Sequence, residues 1–303
     1  MKRTLLTTSI LALMAASSAS AEVSGFVAWS VEDYGGEGYR ALSGDVTLSY
    51  QFSPLLGVEA GIWGFTDRGP GDDRTTERAS FLALTINSAI GTFQIGAPRP
   101  VIDDYIRTPT PVSEYWDIYG YGGYTTSLAI DDLFSGNNSH FGARFDGTFA
   151  GVDVGLSFTR ETEGTYDDYT QLVVRREFDN IGLVLGYEHE STESETALYL
   201  SIYGTWGPVL AVLFINDYSD DEDSDYDETL YSVGLSYDIT DELTAGVSYF
   251  EISNEDDEAE YAIWTRYDFW QNAFVSAGYS NYSEIGEPDL KIWDLTIGWD
   301  LAY

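Results

Sequence analysis

The stretch Ile292-Trp293-Asp294-Leu295-Thr296-Ile297-Gly298-Trp299-Asp300-Leu301-Ala302-Tyr303 alternates with a period of two. Trp293, Leu295, Ile297, Trp299, Leu301 and Tyr303 share one parity. Asp294, Thr296, Gly298, Asp300 and Ala302 share the other, with Ile292 the sole exception. At a hydrophobic fraction of 44%, six apolar residues at six preset positions arise by chance about 0.7% of the time. Successive side chains of a strand point to opposite faces, so one face here meets an apolar medium and the other a polar one.

The same alternation recurs upstream in segments of roughly ten residues, the length a tilted strand needs to cross a bilayer. Leu42, Gly44, Val46, Leu48, Tyr50 and Phe52 form an apolar row with Ser43, Asp45, Thr47, Ser49 and Gln51 opposite. Sixteen strands are predicted, near 22–31, 40–52, 56–66, 78–87, 91–97, 139–147, 150–160, 168–178, 181–190, 196–206, 208–216, 229–239, 242–252, 259–269, 272–282 and 290–303. The 208–216 segment is apolar on both faces and fits the template less well. Connections alternate between short ones (Ser53-Pro54, Asp179-Asn180, Gln271-Asn272) and longer polar ones (32–39, 67–77, 217–228). That asymmetry belongs to transmembrane barrels. All eight prolines fall in connections or at their edges, as expected of a residue that interrupts a strand ladder.

One connection stands out. Pro98 to His140 spans 43 residues without clean alternation and holds four of the eight prolines. Its aromatics, among them Tyr105, Tyr115, Trp116 and Tyr119, argue for an ordered and functional loop.

The N-terminus reads as an export signal. Lys2 and Arg3 precede a short apolar run from Leu5 to Ala16, and Ala19-Ser20-Ala21 has the A-x-A form of a cleavage site, placing the cut between Ala21 and Glu22. Residues 1–21 are then a signal peptide and 22–303 the barrel. Without Lys2 and Arg3 the chain carries 12 basic against 51 acidic residues, a net charge of −39. So acidic a chain is unsuited to nucleic acid, whose phosphates need cationic neutralisation. The absence of Cys removes disulfides, thiolate metal sites and thiol nucleophiles. His140 and His189 are the only imidazoles. Ser139 and His140 are adjacent and point to opposite faces of a strand, so neither catalysis nor a cofactor nor a resident metal is expected.

Signal peptide, sixteen alternating strands, a long loop after strand five and a terminal aromatic together resemble the general bacterial porins, especially those of alphaproteobacteria. Gly91-Thr92-Phe93-Gln94-Ile95-Gly96 is similar to the family's strand entering the constriction loop, and Asn137-Asn138-Ser139-His140-Phe141-Gly142-Ala143-Arg144-Phe145 to the strand leaving it. After the second Gly the family commonly has Arg; here Ala97 stands there, with Arg99 two positions on. The resemblance implies an all-β, sixteen-stranded antiparallel transmembrane barrel whose 98–140 loop folds inward. It implies passive diffusion of ions and small hydrophilic solutes across a Gram-negative outer membrane. Constriction acids would be Asp103, Asp104, Glu114 and Asp117, with Asp131 and Asp132 nearer the loop's exit. Constriction bases would be Arg40, Arg78, Arg99, Arg107 and Arg144. Gly298, Trp299, Leu301 and Tyr303 would form the signal read by the barrel-assembly machinery. A homotrimer is implied as well, embedded among outer-membrane lipid and lipopolysaccharide. Trp29, Phe52, Trp206, Trp270, Trp293 and Trp299 would sit in interfacial girdles.

The charges of the loop also admit an ordinary reading, as solvated loop residues. The acidic run Asp217 to Glu228 lacks the spacing of a calcium loop. It reads as a solvated external loop, with weak divalent-cation binding, bridging to lipopolysaccharide, as its alternative. The negative balance favours a cation-selective pore. A substrate-specific channel using Tyr115, Trp116 and Tyr119, and a non-conducting structural or adhesive barrel, share the same alternation. A soluble secreted β-sandwich lectin would partition without detergent.

Overall fold

The computed structural model describes residues 21–34, 37–69, 74–109, 128–129, 139–162, 167–192, 194–220, 227–253, 258–270, 272–283 and 289–302. The segment 1–20, Glu114, Asp117, Asp131, Asp132, the aromatics Tyr115, Trp116 and Tyr119, residues 221–226 of the acidic run and Tyr303 lie outside the described residues.

Sixteen strands form: β1 (Ala21–Tyr34), β2 (Glu37–Gln51), β3 (Leu56–Arg68), β4 (Arg74–Ser88), β5 (Gly91–Ala97), β6 (His140–Phe149), β7 (Val152–Glu161), β8 (Asp168–Phe178), β9 (Ile181–Glu190), β10 (Glu195–Trp206), β11 (Val209–Asp220), β12 (Glu228–Asp238), β13 (Leu243–Ser253), β14 (Glu258–Phe269), β15 (Ala273–Ser283) and β16 (Leu290–Ala302). Each pairs antiparallel with its sequence neighbours, and β1 pairs with β16 from Ser24↔Ala302 to Tyr34↔Ile292, closing the sheet into a barrel. Closure leaves no open edge, which a sheet within hydrocarbon must not have. A short helix, α1 (Val101–Tyr105), follows β5.

The alternation decides which way each side chain points. In β16, Trp293 and Leu295 are 58% and 52% exposed while Asp294 and Thr296 are 5% and 0%. Outward residues here are apolar and meet lipid. The six predicted girdle aromatics are all exposed on this outer side, with Phe52, Trp206 and Trp270 at the end that carries the short turns and both ends of the sheet. In outer-membrane barrels that is the periplasmic end.

The two misfits of the sequence pattern have one cause. Ile292, together with Val212 and Phe214 from the 208–216 segment, points inward into a buried apolar cluster with Leu230, Phe250 and Ile252. That part of the inner wall is dry, so the inward positions there are apolar too. Two strands also begin several residues earlier than predicted: β2 at Glu37 and β4 at Arg74.

Candidate functional site in the barrel lumen

The chain leaves β5 at Gly96, whose φ of +135° suits glycine, and where a Cβ would lie 2.5 Å from the Leu82 carbonyl oxygen. From there Pro98 to Pro109 runs along the inner wall. Val101 and Ile102 are fully buried within the same apolar cluster as Val173 and Val184. α1 contacts β7, β8 and β9.

A polar ladder on the wall holds this segment. Ser157 Oγ donates to Gln171 Oε1 (2.7 Å), and Gln171 Nε2 donates to Glu188 Oε1 (2.6 Å). The remaining acceptors take backbone groups that would otherwise be buried without partners. Val101 N–H reaches Ser157 Oγ at 3.1 Å and Ile102 N–H reaches Gln171 Oε1 at 3.2 Å. Leu128 and Ala129 N–H reach the two oxygens of Glu188 at 3.0 and 3.1 Å. Tyr199 donates to Glu188 as well (2.9 Å), so this buried carboxylate is fully engaged. His140 Nε2 pairs with the Pro98 carbonyl at 3.1 Å, and Ser201 Oγ donates to the Arg107 carbonyl at 2.5 Å.

The start of the segment carries the charge. Arg99 makes a two-pronged pair with Asp45 of β2, at 2.8 and 2.5 Å, with its guanidinium over Phe81 (5.0 Å) and Trp63 (5.8 Å). Asp103 and Asp104 stand 3.4 and 3.7 Å from the same guanidinium. Arg144 of β6 bonds Asp104 and, with two nitrogens, Asp146 (2.7 and 2.8 Å). Tyr105 donates to Asp146 at 3.1 Å. Two arginines thus face four aspartates. Burial pushes the Asp103 carboxyl up to about 7, against the pull of Arg99. Burial opposes the charge of Arg99, yet Asp103, Asp45 and Asp104 together raise it above its ordinary value. Tyr105 is pushed up to about 12 by burial and by Asp146.

Beside the cluster lies a cavity of about 310 Å³ lined by Glu22, Asp45, Glu59, Phe81, Arg99 and Asp104 among others. Its walls add two carboxylates and no further arginine to the cluster.

The predicted constriction residues therefore separate into groups. Asp103, Asp104, Arg99 and Arg144 come together. Arg107 lies apart, over the ring of Tyr203 at 4.4 Å. Arg40 and Arg78 do not face the lumen, which corrects the expectation for both. Arg40 is exposed on the parity of Leu42, and Arg78 on that of Leu82 and Leu84. The early starts of β2 and β4 place both within strands, where parity dictates their facing. Asp45, Glu59, Asp146 and Glu188 were missed as site residues. Asp45 was legible in the polar row of its strand. The ladder role of Glu188 had no sequence signal, because it depends on which backbone groups the loop brings to it. Gly298, Trp299 and Leu301 lie in β16, with Trp299 on the outer face.

The model of the Gram-negative porin family matches residues 7–286. A porin structure refined at 1.8 Å aligns with a TM-score of 0.67 at 14% identity, covering 93% of this chain and 100% of that one. An anion-selective porin from Comamonas acidovorans aligns at 0.61 and 12% identity, covering 94% and 100%. The trimer form of OmpT from Vibrio cholerae aligns at 0.61 and 14% identity, again covering 94% and 100%. No curated protein sequence matches. At these identities the structural likenesses speak to the fold.

Proposed function

The chain belongs to the Gram-negative porin family, and from that premise we propose that it forms a cation-preferring diffusion pore narrowed by the 98–140 loop. The family supports an outer-membrane channel. The observation that carries the finer reading is the charge of the lumenal cluster: Asp45, Asp103, Asp104 and Asp146 against Arg99 and Arg144, beside a cavity with Glu22 and Glu59 on its wall. Fixed charges of opposite sign set across a narrow path create a transverse field that orders dipolar solutes, while the excess of one sign filters ions. Here the excess is negative. A low-dielectric wall focuses that potential and raises the local cation concentration.

Glu114 and Asp117 belong to the same proposed loop and would add to its acidity. Residues 1–21 are proposed as a cleaved signal peptide and 22–303 as the mature barrel. A homotrimer is proposed in keeping with the trimeric OmpT relative. Gly298, Trp299, Leu301 and Tyr303 are proposed as the signal for the barrel-assembly machinery. The anion-selective Comamonas porin shares this fold, so selectivity has to come from the residues of the lumen rather than from the barrel.

Planar-bilayer recording of the detergent-extracted protein tests the reading. Discrete conductance steps, blocked by small sugars and spared by large ones, are expected. The zero-current potential across a KCl gradient should have the sign of cation preference. An absence of steps, or an anion-preferring potential in dilute KCl, would overturn it.

A further inference from the structure

Three glycines of the inner wall lie under the loop, each on a different strand. A glycine inside a strand costs conformational entropy and packs nothing, so it marks a close approach. Gly155 of β7 and Gly186 of β9 both pair with Val173 of β8, on one rung of the sheet. Gly234 of β12 pairs with Val212 of β11. A Cβ at Gly155 would stand 2.2 Å from Val101 Cγ2, and one at Gly234 would stand 2.6 Å from Pro109 Cβ. At Gly186 the nearest atom would be Ile102 Cδ1 at 2.8 Å, with Tyr199 of β10 at 3.1 Å. Val101, Ile102 and Pro109 are all buried. Carbon atoms in contact rest about 3.5–4.0 Å apart, so the space left by each missing methyl is the space that a loop side chain fills. A Cβ at Gly182, in contrast, would meet the ring of Tyr203 on the adjacent strand at 2.1 Å, and the wall itself fills that notch.

The neighbouring rung keeps α1 in register with these notches. Ser157, Gln171 and Glu188 are consecutive partners on β7, β8 and β9, two residues nearer the long-loop end than Gly155, Val173 and Gly186. Val101 donates its N–H to Ser157 while its side chain drops over Gly155. Ile102 donates its N–H to Gln171 while its side chain reaches Gly186. Backbone and side chains of the loop are thus held on two adjacent rungs at once. Asp103 and Asp104 follow directly, so the depth of the seat sets where these acids stand against Arg99 and Arg144. We propose that Gly155, Gly186 and Gly234 are positioning residues, notches whose depth fixes how far the segment 98–109 projects from the wall and therefore how wide the pore is. The proposal rests on the reading of this loop as the constriction of a conducting pore. A methyl added at Gly155 would push Val101 towards the lumen by roughly 1.5 Å, because a packed interior passes a displacement on rather than absorbing it.

Single-channel conductance and the sugar-size cutoff of Gly155→Ala, Gly234→Ala and Gly186→Ala in planar bilayers test it. Each variant should conduct less and exclude smaller sugars than the unmodified protein. The effects should follow the overlaps at 2.2, 2.6 and 2.8 Å, with conductance falling about twofold in Gly155→Ala. Adding Val101→Ala to Gly155→Ala removes the overlapping Cγ2 and should return both readings to those of the unmodified protein. Val101→Ala alone should not narrow the pore, nor should Gly38→Ala, where a Cβ would meet nothing nearer than 3.9 Å. A merely weakened strand predicts the reverse, because losing the Val101 side chain would then add to the damage. Unchanged conductance and cutoff in folded Gly155→Ala, or no rescue by Val101→Ala, would overturn the proposal. If Gly155→Ala fails to fold, Gly234→Ala and Gly186→Ala decide by the same two readings. If the unmodified barrel conducts nothing, the pore reading fails by itself, and the temperature of unfolding on electrophoresis decides the seat. A double variant more stable than Gly155→Ala supports the notch, and a less stable one removes it.

Discussion

Arg99 reaches along the inner wall to Asp45 with two hydrogen bonds, 2.8 and 2.5 Å long, over a floor made by Phe81 and Trp63. The pair joins the first residues after β5 to a strand three places away in the sheet. It is both a tether and a charge balance, and the two roles come apart on substitution.

Arg99→Gln leaves Arg144 facing four aspartates, so cation preference should rise. Asp45→Asn removes one negative charge from the cavity wall, so cation preference should fall. Each change moves one unit charge close to the ion path, which corresponds to a change in permeability ratio of roughly two- to fivefold. Reversal potentials in the same KCl gradient should shift in opposite directions for the two variants. Shifts of the same sign would show that tethering rather than charge controls the path.

Glu188→Ala strips acceptors from the N–H groups of Leu128 and Ala129 and from Tyr199 and Gln171. Each buried group left unsatisfied costs about 1–3 kcal/mol. The variant should shift from folded to unfolded mobility at a lower temperature on electrophoresis, and it should be cut within 98–140 by added protease. Unchanged resistance on both counts would remove Glu188 from the tether.

Lowering pH through about 7 should weaken cation preference, because the buried Asp103 carboxyl takes up its proton there. The cluster then passes from a net −2 to a net −1. Stability has the opposite dependence. The folded protein holds this proton from an ordinary value of 3.8 up to about 7, so folding binds protons in that window and stability falls as pH rises through it. Asp103→Asn should flatten both profiles between pH 4 and 8. A variant that titrates as before would assign the pH response to another group.

Salt should separate the lumenal acids from those on the loops. Screening lengths are about 8 Å at 0.15 M and about 3 Å at 1 M. Neutralising Asp103 and Asp104 should weaken cation preference at every concentration, whereas neutralising the acids of 217–228 should matter in dilute KCl alone. Equal effects of the two variants in 1 M KCl would contradict the lumenal assignment.

Deleting Tyr303, the last residue of the row that contains Trp299 and Leu301, should reduce the amount of folded, heat-modifiable barrel in the outer membrane and increase its degradation in the periplasm. Normal levels would separate this residue from assembly.

The barrel was legible in the sequence because its signal is local. A period of two follows from the backbone of each strand, so Trp293 to Trp299 and Leu42 to Phe52 show their facing without knowledge of their neighbours. The polar row Ser43, Asp45, Thr47 likewise pointed into the lumen before any partner of Asp45 was known. Arg144 belonged with the lumenal parity for the same reason. Where the pattern failed, at Ile292 and at 208–216, a dry patch of inner wall had replaced water as the medium.

From the sequence alone came the sixteen strands, their lipid and lumen faces, the anomalous loop and the excess of negative charge, all fixed by covalent alternation and composition. Only the tertiary structure decided which charges meet. Asp45 and Arg99 are 54 residues apart, and nothing in either segment specifies the other until the barrel closes and α1 settles on β7 to β9. Closure and strand length also turned Arg40 and Arg78 outward, since extending β2 and β4 by a few residues made parity rather than proximity to a loop set their direction. Burial of Asp103 arose in the same way: its solvation depends on what the folded wall excludes, a property no stretch of chain carries by itself.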